Sequence, residues 1–243
     1  MDAAANLQPT PPGDGLSQAR DLLLLASEEL RGPLTSVSGY LQVLLDGEVG
    51  GLDPGQERVA EIAARNAGRM ERLLDSLIVV SHLQAGTGEV RAIPMADLVR
   101  RTVDRLGPRA SNRGIHLGLG VGTDELVMAD PLAVEQAVES MIDHAMTFSS
   151  GGGTVDVIVR EELDEIVVDV HDDGVPLESE HLHQVFAGRF ASAVAGPRVL
   201  LGSRLELFMV RLVAEAHGGS VAADITSDGR SHLMMRLPRV ATA

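Results

Sequence analysis

Two folds in tandem are predicted. The first is an antiparallel helical hairpin that pairs with a second copy into a four-helix bundle; the second is an α/β sandwich with helices on one face of a mixed sheet. Three observations predict them. Apolar residues recur in steps of four and three from Leu23 to Leu44, and a second apolar seam runs from Val59 to Val80, each the spacing of a single helix face. The two runs are separated by Gly-Glu-Val-Gly-Gly-Leu-Asp-Pro-Gly at 47–55, a turn composition. Beyond residue 90 the period changes, with apolar/polar alternation interleaved with helical runs.

Composition narrows the function classes. A chain of 243 residues with 44% hydrophobic content can bury one large core or two small ones. Aromatics make up 2% and tryptophan is absent, so the core is aliphatic. The formal charge of −15 repels nucleic-acid phosphates and anionic lipid, and neither is expected as a partner. All 20 basic residues are arginine, for which a coding bias is the simplest source; no lysine is available to meet a nucleotide phosphate or form a Schiff base. The absence of cysteine rules out disulfides and thiolate metal sites. No apolar run reaches the roughly 18–20 residues that span a bilayer, and the N-terminus carries no signal-peptide pattern, so a cytoplasmic protein is expected.

Residues 1–17, rich in proline and glycine, read as a flexible tail, with no sensor domain ahead of the helices. The first seam is Leu23, Ser27, Leu30, Leu34, Val37, Leu41 and Leu44, with Pro33 placed to remove a helical hydrogen bond. Asp53 is the N-cap candidate of the second helix, Pro54 its first residue, and Val59, Ile62, Met70, Leu73, Leu77 and Val80 its seam. Asn66 falls on that seam, as a register device or as a partly exposed side chain. A hairpin with one apolar face per helix cannot bury that face alone, so homodimerisation through helices 18–46 and 54–84 is expected. Gln84 to Glu89 is the linker. Met95 to Leu106 reads as helix, Ile115 to Val121 and Glu125 to Met128 as short strands, and Asp130-Pro131 opens a helix to Phe148. Strands at Val155 to Glu161 and Glu165 to Asp172 form a hairpin. A helix from Leu205 to His217 ends at Gly218-Gly219, and strands follow at Ser220 to Asp224 and His232 to Leu237.

Within the first helix, Ala26-Ser27-Glu28-Glu29-Leu30-Arg31-Gly32-Pro33-Leu34 resembles the phosphoacceptor box of sensor histidine kinases, usually Ser-His-Glu-Leu-Arg-Thr-Pro-Leu. Ser81-His82-Leu83-Gln84-Ala85-Gly86 resembles the family's Ser-Arg-Leu-Glu-Ala-Gly at the end of the hairpin. The second half resembles the family's ATP-binding domain, the GHKL (Bergerat) sandwich shared with DNA gyrase and the heat-shock ATPase chaperones. The resemblance implies a tail at 1–17, a HisKA-like dimerisation hairpin at 18–86, a HATPase-like domain at 90–238 and a short tail at 239–243.

The same resemblance implies where chemistry is lost. Glu28 stands at the acceptor position, where phosphotransfer needs a neutral imidazole nitrogen as nucleophile. Glu29 keeps the orienting carboxylate. Gly32 stands at the position that places a water in the family's phosphatase reaction and has no side chain for it. In the helix after Asp130, Pro131 and Gln136 are kept, but Ser140 and His144 replace two asparagines, the second of which holds Mg²⁺ in the family. Imidazole is a poor ligand for Mg²⁺, which prefers oxygen, so no metal site is expected and His144 reads first as a packed helix residue. Thr147 replaces a phosphate-facing lysine.

Asp172-Asp173-Gly174-Val175-Pro176-Leu177 keeps the adenine-binding aspartate as Asp172 and one glycine as Gly174, with Pro176 at the second glycine position. Val185-Phe186 resembles the family's phenylalanine box. Gly202-Ser203-Arg204-Leu205-Glu206-Leu207 keeps Gly202 of Gly-Thr-Gly-Leu-Gly-Leu, and Arg204 and Glu206 occupy the other glycine positions. Those glycines let backbone amides approach the triphosphate, and two side chains obstruct that approach. His181 and His183 read as surface histidines.

The expected function is a histidine-kinase-like signalling protein of two-component type, a pseudokinase acting as a dimeric scaffold or regulator. Its expected partner is a receiver domain of a response regulator or a partner histidine kinase. No cofactor is required on this reading, and weak ATP or ADP binding at Asp172 is left open. The alternative is an active ATP-dependent kinase or ATPase with an unconventional acceptor. A phosphotransferase adaptor would need a histidine on the first helix, and the first histidine of the chain is His82.

Overall fold

The computed structural model describes residues 14–149, 151–174, 185–186 and 201–240. The chain divides into two compact units, Met1–Ser81 and His82–Ala243. The first unit is the hairpin of α1 (Asp14–Leu45) and α2 (Pro54–Ala85), the latter running a few residues into the second unit. Helix α1 starts inside the stretch expected to be tail, and Pro33 lies within it.

The connection follows from its residues. Gly47 takes φ +74°, which closes the end of α1 by letting Glu48 N–H reach Val43 O at 3.2 Å. At the start of α2 the Asp53 carboxylate accepts from Gly55 N–H and Gln56 N–H at 2.8 and 2.9 Å, while the Gln56 side chain accepts from Asp53 N–H at 3.0 Å. That is a reciprocal capping box, with Pro54 at the position that needs no N–H. At the far end Gly86 takes φ +62° and terminates the helix.

The seams divide in a way that sequence spacing does not anticipate. On α1, Ser27 and Leu34 are buried and Leu41 half-buried, while Leu30 and Val37 stay exposed at 53% and 49%. On α2 the buried positions are Ala60, Ala67, Leu74 and Ser81, spaced by seven, together with Ser76, whereas the expected seam residues Val59, Ile62 and Met70 are exposed. Leu34, Ala67 and Leu74 form the small intrachain core, with Leu41 against it. Alanines at the contact let two helices approach closely with little side chain between them, which leaves the larger apolar residues on an adjacent stripe. Asn66 is exposed and bonds to Ile62 O at 2.9 Å, so it does not set register inside the hairpin.

The second unit runs β1 (Arg91–Pro94), α3 (Met95–Asn112), β2 (His116–Val121), β3 (Leu126–Ala129), α4 (Pro131–Phe148), β4 (Thr154–Glu162), β5 (Glu165–Asp172), α5 (Leu201–Ala216), β6 (Ser220–Ile225) and β7 (Ser231–Pro238). The main sheet has the order β2-β4-β5-β7-β6, parallel between β2 and β4 and antiparallel elsewhere; β1 and β3 form a separate two-stranded ribbon. Strand β1 was not expected. It has one buried residue, Ile93, and ends in proline, which leaves no alternation to detect.

Alternate residues of the sheet (Val155, Val157, Val159, Ile166, Val168, Val170, Leu233, Met235 and Leu237) are buried at 1% exposure or less and meet α4 and α5. Helix α4 begins as expected: the Asp130 carboxylate accepts from Leu132 and Ala133 N–H, with Pro131 behind it. His217 ties the two long helices together. Its Nε2 accepts from Asp130 N–H at 3.0 Å and its Nδ1 lies 2.7 Å from Val213 O, a pairing that fixes the neutral ring with the proton on Nδ1. Gly219 then turns the chain into β6, where a Cβ would sit 1.9 Å from Arg236 O. Residues Arg239 and Val240, expected as tail, are held by bonds to Asp164 O and Leu126 O.

Candidate active site

The end of β5 and the last turns of α4 carry four of the residues that the motifs single out, Asp172, Gly174, Ser140 and His144. Asp172, the last residue of β5, is 2% exposed. Its Oδ1 accepts from Gly174 N–H at 3.0 Å, and Ser231 of β7 is its direct partner across the β5–β7 pair. Burial pushes the carboxyl up to about 6, against the opposing pull of the Gly174 N–H. Above that value Asp172 is a buried carboxylate held by the turn that follows it.

Gly174 sits where no other residue fits. A Cβ there would lie 2.3 Å from Phe148 O and 2.8 Å from Asp172 Oδ1, so the turn after β5 closes directly onto the end of α4. Asp173 is exposed and accepts from Thr154 N–H at 2.8 Å, which pins the same turn to β4.

On α4, Ser140 and His144 are both interior. Ser140 is fully buried, and neither its hydroxyl nor Nδ1 of His144 finds a hydrogen-bond partner among the described residues. His144 is 6% exposed and packs on Phe148, with ring centroids 4.6 Å apart and a tilt of 47°. Burial lowers its pKa to about 4, so the ring is neutral at pH 7. Next to it Asp143, 2% exposed, takes a 2.9 Å ion pair from Arg109 of α3. Sequence reasoning missed Arg109 and Ser231 because each reaches the site from a distant element.

The Gly202–Glu206 box falls within the first turns of α5, which starts four residues earlier than expected. The side chain of Glu206 is buried at 5% exposure; that of Arg204 lies outside the described residues, as do Pro176, His181 and His183. Val185 and Phe186 are both buried.

The acceptor-like box belongs to the other unit and is a surface feature of α1. Glu28 and Glu29 are exposed, and Glu28 lies 3.7 Å from Arg31, which also pairs with Asp75 of α2. Gly32 is exposed with nothing within 4 Å of a Cβ built on it.

Two family models match. Residues 18–86 match the His Kinase A (phospho-acceptor) domain, and residues 129–241 match the histidine kinase-, DNA gyrase B- and HSP90-like ATPase. Sensor protein SrrB of Staphylococcus aureus is 25% identical over 222 residues, 90% of this chain and 38% of SrrB. The chain thus spans about two fifths of the length of that relative. Among solved structures, full-length ShkA in complex with AMPPNP superposes with a TM-score of 0.61 at 20% identity, covering 92% of this chain and 47% of ShkA. The Acinetobacter baumannii histidine kinase AdeS gives 0.55 at 18% identity over 88% of this chain and 98% of its own. The mycobacterial sensor histidine kinase MprB gives 0.53 at 23% identity over 63% and 99%. These likenesses show the fold that the sequence predicts, a helical segment followed by a GHKL sandwich. The chain therefore joins a helical hairpin that matches the phospho-acceptor domain model to an α/β domain that matches the ATPase model, the two modules found together in sensor histidine kinases.

Proposed function

We propose that this chain signals within a two-component system by binding, as a dimeric pseudokinase that scaffolds or regulates a response regulator's receiver domain or a partner histidine kinase. The observation that carries the reading is the acceptor-like box itself: Glu28 stands where an imidazole must attack, and Gly32 offers no side chain to place a water. Both are exposed on α1, so nothing in the packing of the hairpin demands these residues.

The second unit supports the same reading from the nucleotide side. Residues at the adenine end, Asp172 and Gly174, form a closed and hydrogen-bonded turn. Residues at the phosphate and Mg²⁺ end do not suit that ligand. His144 presents a buried neutral imidazole in place of an oxygen donor, and a buried carboxylate, Glu206, lies in the helix that would face the triphosphate. A like charge about 5 Å away costs on the order of 3 kcal/mol at an effective dielectric near 20. No phosphoryl-transfer step is therefore assigned to this chain.

Dimerisation has its support in the exposed stripe. Leu30, Val37, Tyr40, Val59, Ile62 and Met70 remain solvent-facing on the single hairpin. Near the turn, an apolar concavity of about 650 Å³ is lined by Leu41, Leu44, Leu52 and Val59. A second copy covering these residues gives a four-helix bundle.

The deciding experiment is incubation of the purified chain with radiolabelled ATP and Mg²⁺, beside a pull-down with receiver domains. No retained label with saturable receiver binding is the expected outcome. Acid-labile or alkali-labile label on the chain would defeat the proposal. The preserved Asp172–Gly174 turn favours one alternative, an ATP-dependent enzyme with an unconventional acceptor. Micromolar ATP–Mg²⁺ affinity abolished by Asp172→Asn would favour that alternative.

A further inference from the structure

The face of the main sheet turned away from α4 and α5 carries a cluster that belongs to neither motif set. Alternation places Asp156, Ile158 and Arg160 of β4, Asp169 and His171 of β5, and His232 of β7 on it. Register does the rest. His171 and His232 are direct partners across the β5–β7 pair, with Asp156 beyond His171 and Asp224 of β6 beyond His232. Asp169 is two residues along β5 from His171, and therefore on the same side.

The local geometry is ordered. The two imidazoles stack with centroids 4.0 Å apart and planes 15° from parallel. Asp169 is 2% exposed; its Oδ2 accepts from Arg160 Nε at 2.6 Å, and its Oδ1 lies 2.6 Å from Nε2 of His232. A carboxylate only accepts, so His232 carries its proton on Nε2. Ligand atoms from Asp169, His171 and His232 all lie within 4.8 Å of one another.

We propose that Asp169, His171 and His232 form a binding site for a borderline divalent transition metal of the Zn²⁺ kind. Two imidazoles and one carboxylate suit such an ion, and four-coordinate Zn²⁺ accepts a water or exogenous ligand as its fourth partner. The ion takes the place of the proton between His232 Nε2 and Asp169 Oδ1, and that proton leaves to solvent. With metal–ligand bonds near 2.0–2.1 Å the two atoms separate to roughly 3.3 Å, and the two rings must tilt out of their stack so that their in-plane nitrogens converge on the ion. Arg160 stays on Oδ2 and orients the carboxylate, as an outer-shell partner does. Its positive charge and those of Arg230 and Arg236 are outnumbered on this face by Asp156, Glu162, Glu165, Asp169, Asp224 and Asp228. Access is open, because His171 also lines a basin of about 450 Å³ between Gly118, Gly120 and the Thr226–Arg230 turn.

The test uses the full chain stripped with chelator and titrated by calorimetry with Zn²⁺, and by visible absorption with Co²⁺. One equivalent of Zn²⁺ at micromolar affinity is expected, with a Co²⁺ d–d band of four-coordinate intensity. Losing an outer-shell partner alone costs about 10–100-fold, so His171→Ala and His232→Ala should each weaken binding by at least about tenfold and bleach the Co²⁺ band. His171→Ala guards against misfolding, since that ring is not the one bonded to Asp169, and circular dichroism confirms the fold. Wild-type affinity and spectrum retained in both variants would place the ion elsewhere and overturn the site. Absence of Zn²⁺ binding up to millimolar concentration in the parent chain would overturn it as well.

Discussion

Gly32 and Gly174 both stand at motif positions, one in each unit, and the fold requires only the second to be glycine. A Cβ added at Gly32 meets nothing within 4 Å, whereas one added at Gly174 meets a backbone oxygen at 2.3 Å. The same contrast runs through the other substituted positions. Glu28 and Glu29 are exposed on α1, while Ser140, His144 and Glu206 are buried in the sandwich. A change at Glu28, Glu29 or Gly32 alters exposed groups and leaves packing alone. A change in the sandwich box alters packing as well, so reverting it to the family residue carries a cost or gain in stability that is separate from any return of activity.

The largest effect expected from this contrast is on the pH dependence of stability. Asp172 has a folded-state pKa raised from 3.8 to about 6, so the folded protein holds that proton more tightly than the unfolded chain. Its favourable contribution is complete below pH 3.8 and is lost as pH rises through 6. His144 is lowered from 6.5 to about 4, so its neutral form is favoured by folding and the contribution is lost as pH falls from 6.5 to 4. Each spans roughly two pKa units, on the order of 3 kcal/mol. Relative to wild type, Asp172→Asn should gain stability between pH 4 and pH 6. His144→Asn should lose stability relative to wild type as the pH rises through the same range. Urea titrations at pH 4, 5, 6 and 7 measure both differences, and other titrating groups cancel in them. Parallel curves for the two variants would break the claim that burial governs this site.

A comparable effect separates the two glycines. Gly174→Ala should destabilise by about 3 kcal/mol, since the atom it strikes is main chain and cannot rotate away. Gly32→Ala should stabilise by about 0.5–1 kcal/mol, because an exposed helix interior prefers alanine. Thermal or urea unfolding of each variant decides it, and equal shifts of the same sign would erase the distinction between the units.

How much of this was readable beforehand follows the range of the interactions. The caps at Asp130 and Asp53 and the β4–β5 hairpin depend on neighbours a few residues away, and spacing and turn chemistry reveal them. The division of the α1–α2 seam was not readable, because Val59 and Ala60 both look apolar and only the helix–helix approach chooses between them. Ser231 at Asp172, Arg109 at Asp143 and the pairing of His171 with His232 all join distant elements. The last was within reach of the alternation rule, since 169 and 171 share a strand face. It lacked only the β5–β7 register.

The smallest structural effect belongs to Glu28→His, and it sharpens the comparison most. Glu28 is exposed and its ion pair with Arg31 is long at 3.7 Å, so the substitution should change stability by less than about 0.5 kcal/mol. Restoring an imidazole beside Glu29 restores a nucleophile, but the phosphate end of the second unit is unchanged. The variant should therefore remain unlabelled by ATP alone and accept label only when a competent histidine kinase ATPase domain is supplied in trans. Labelling by ATP alone would mean that His144 and Glu206 do not obstruct the triphosphate, and the proposed loss of chemistry would then be confined to the hairpin.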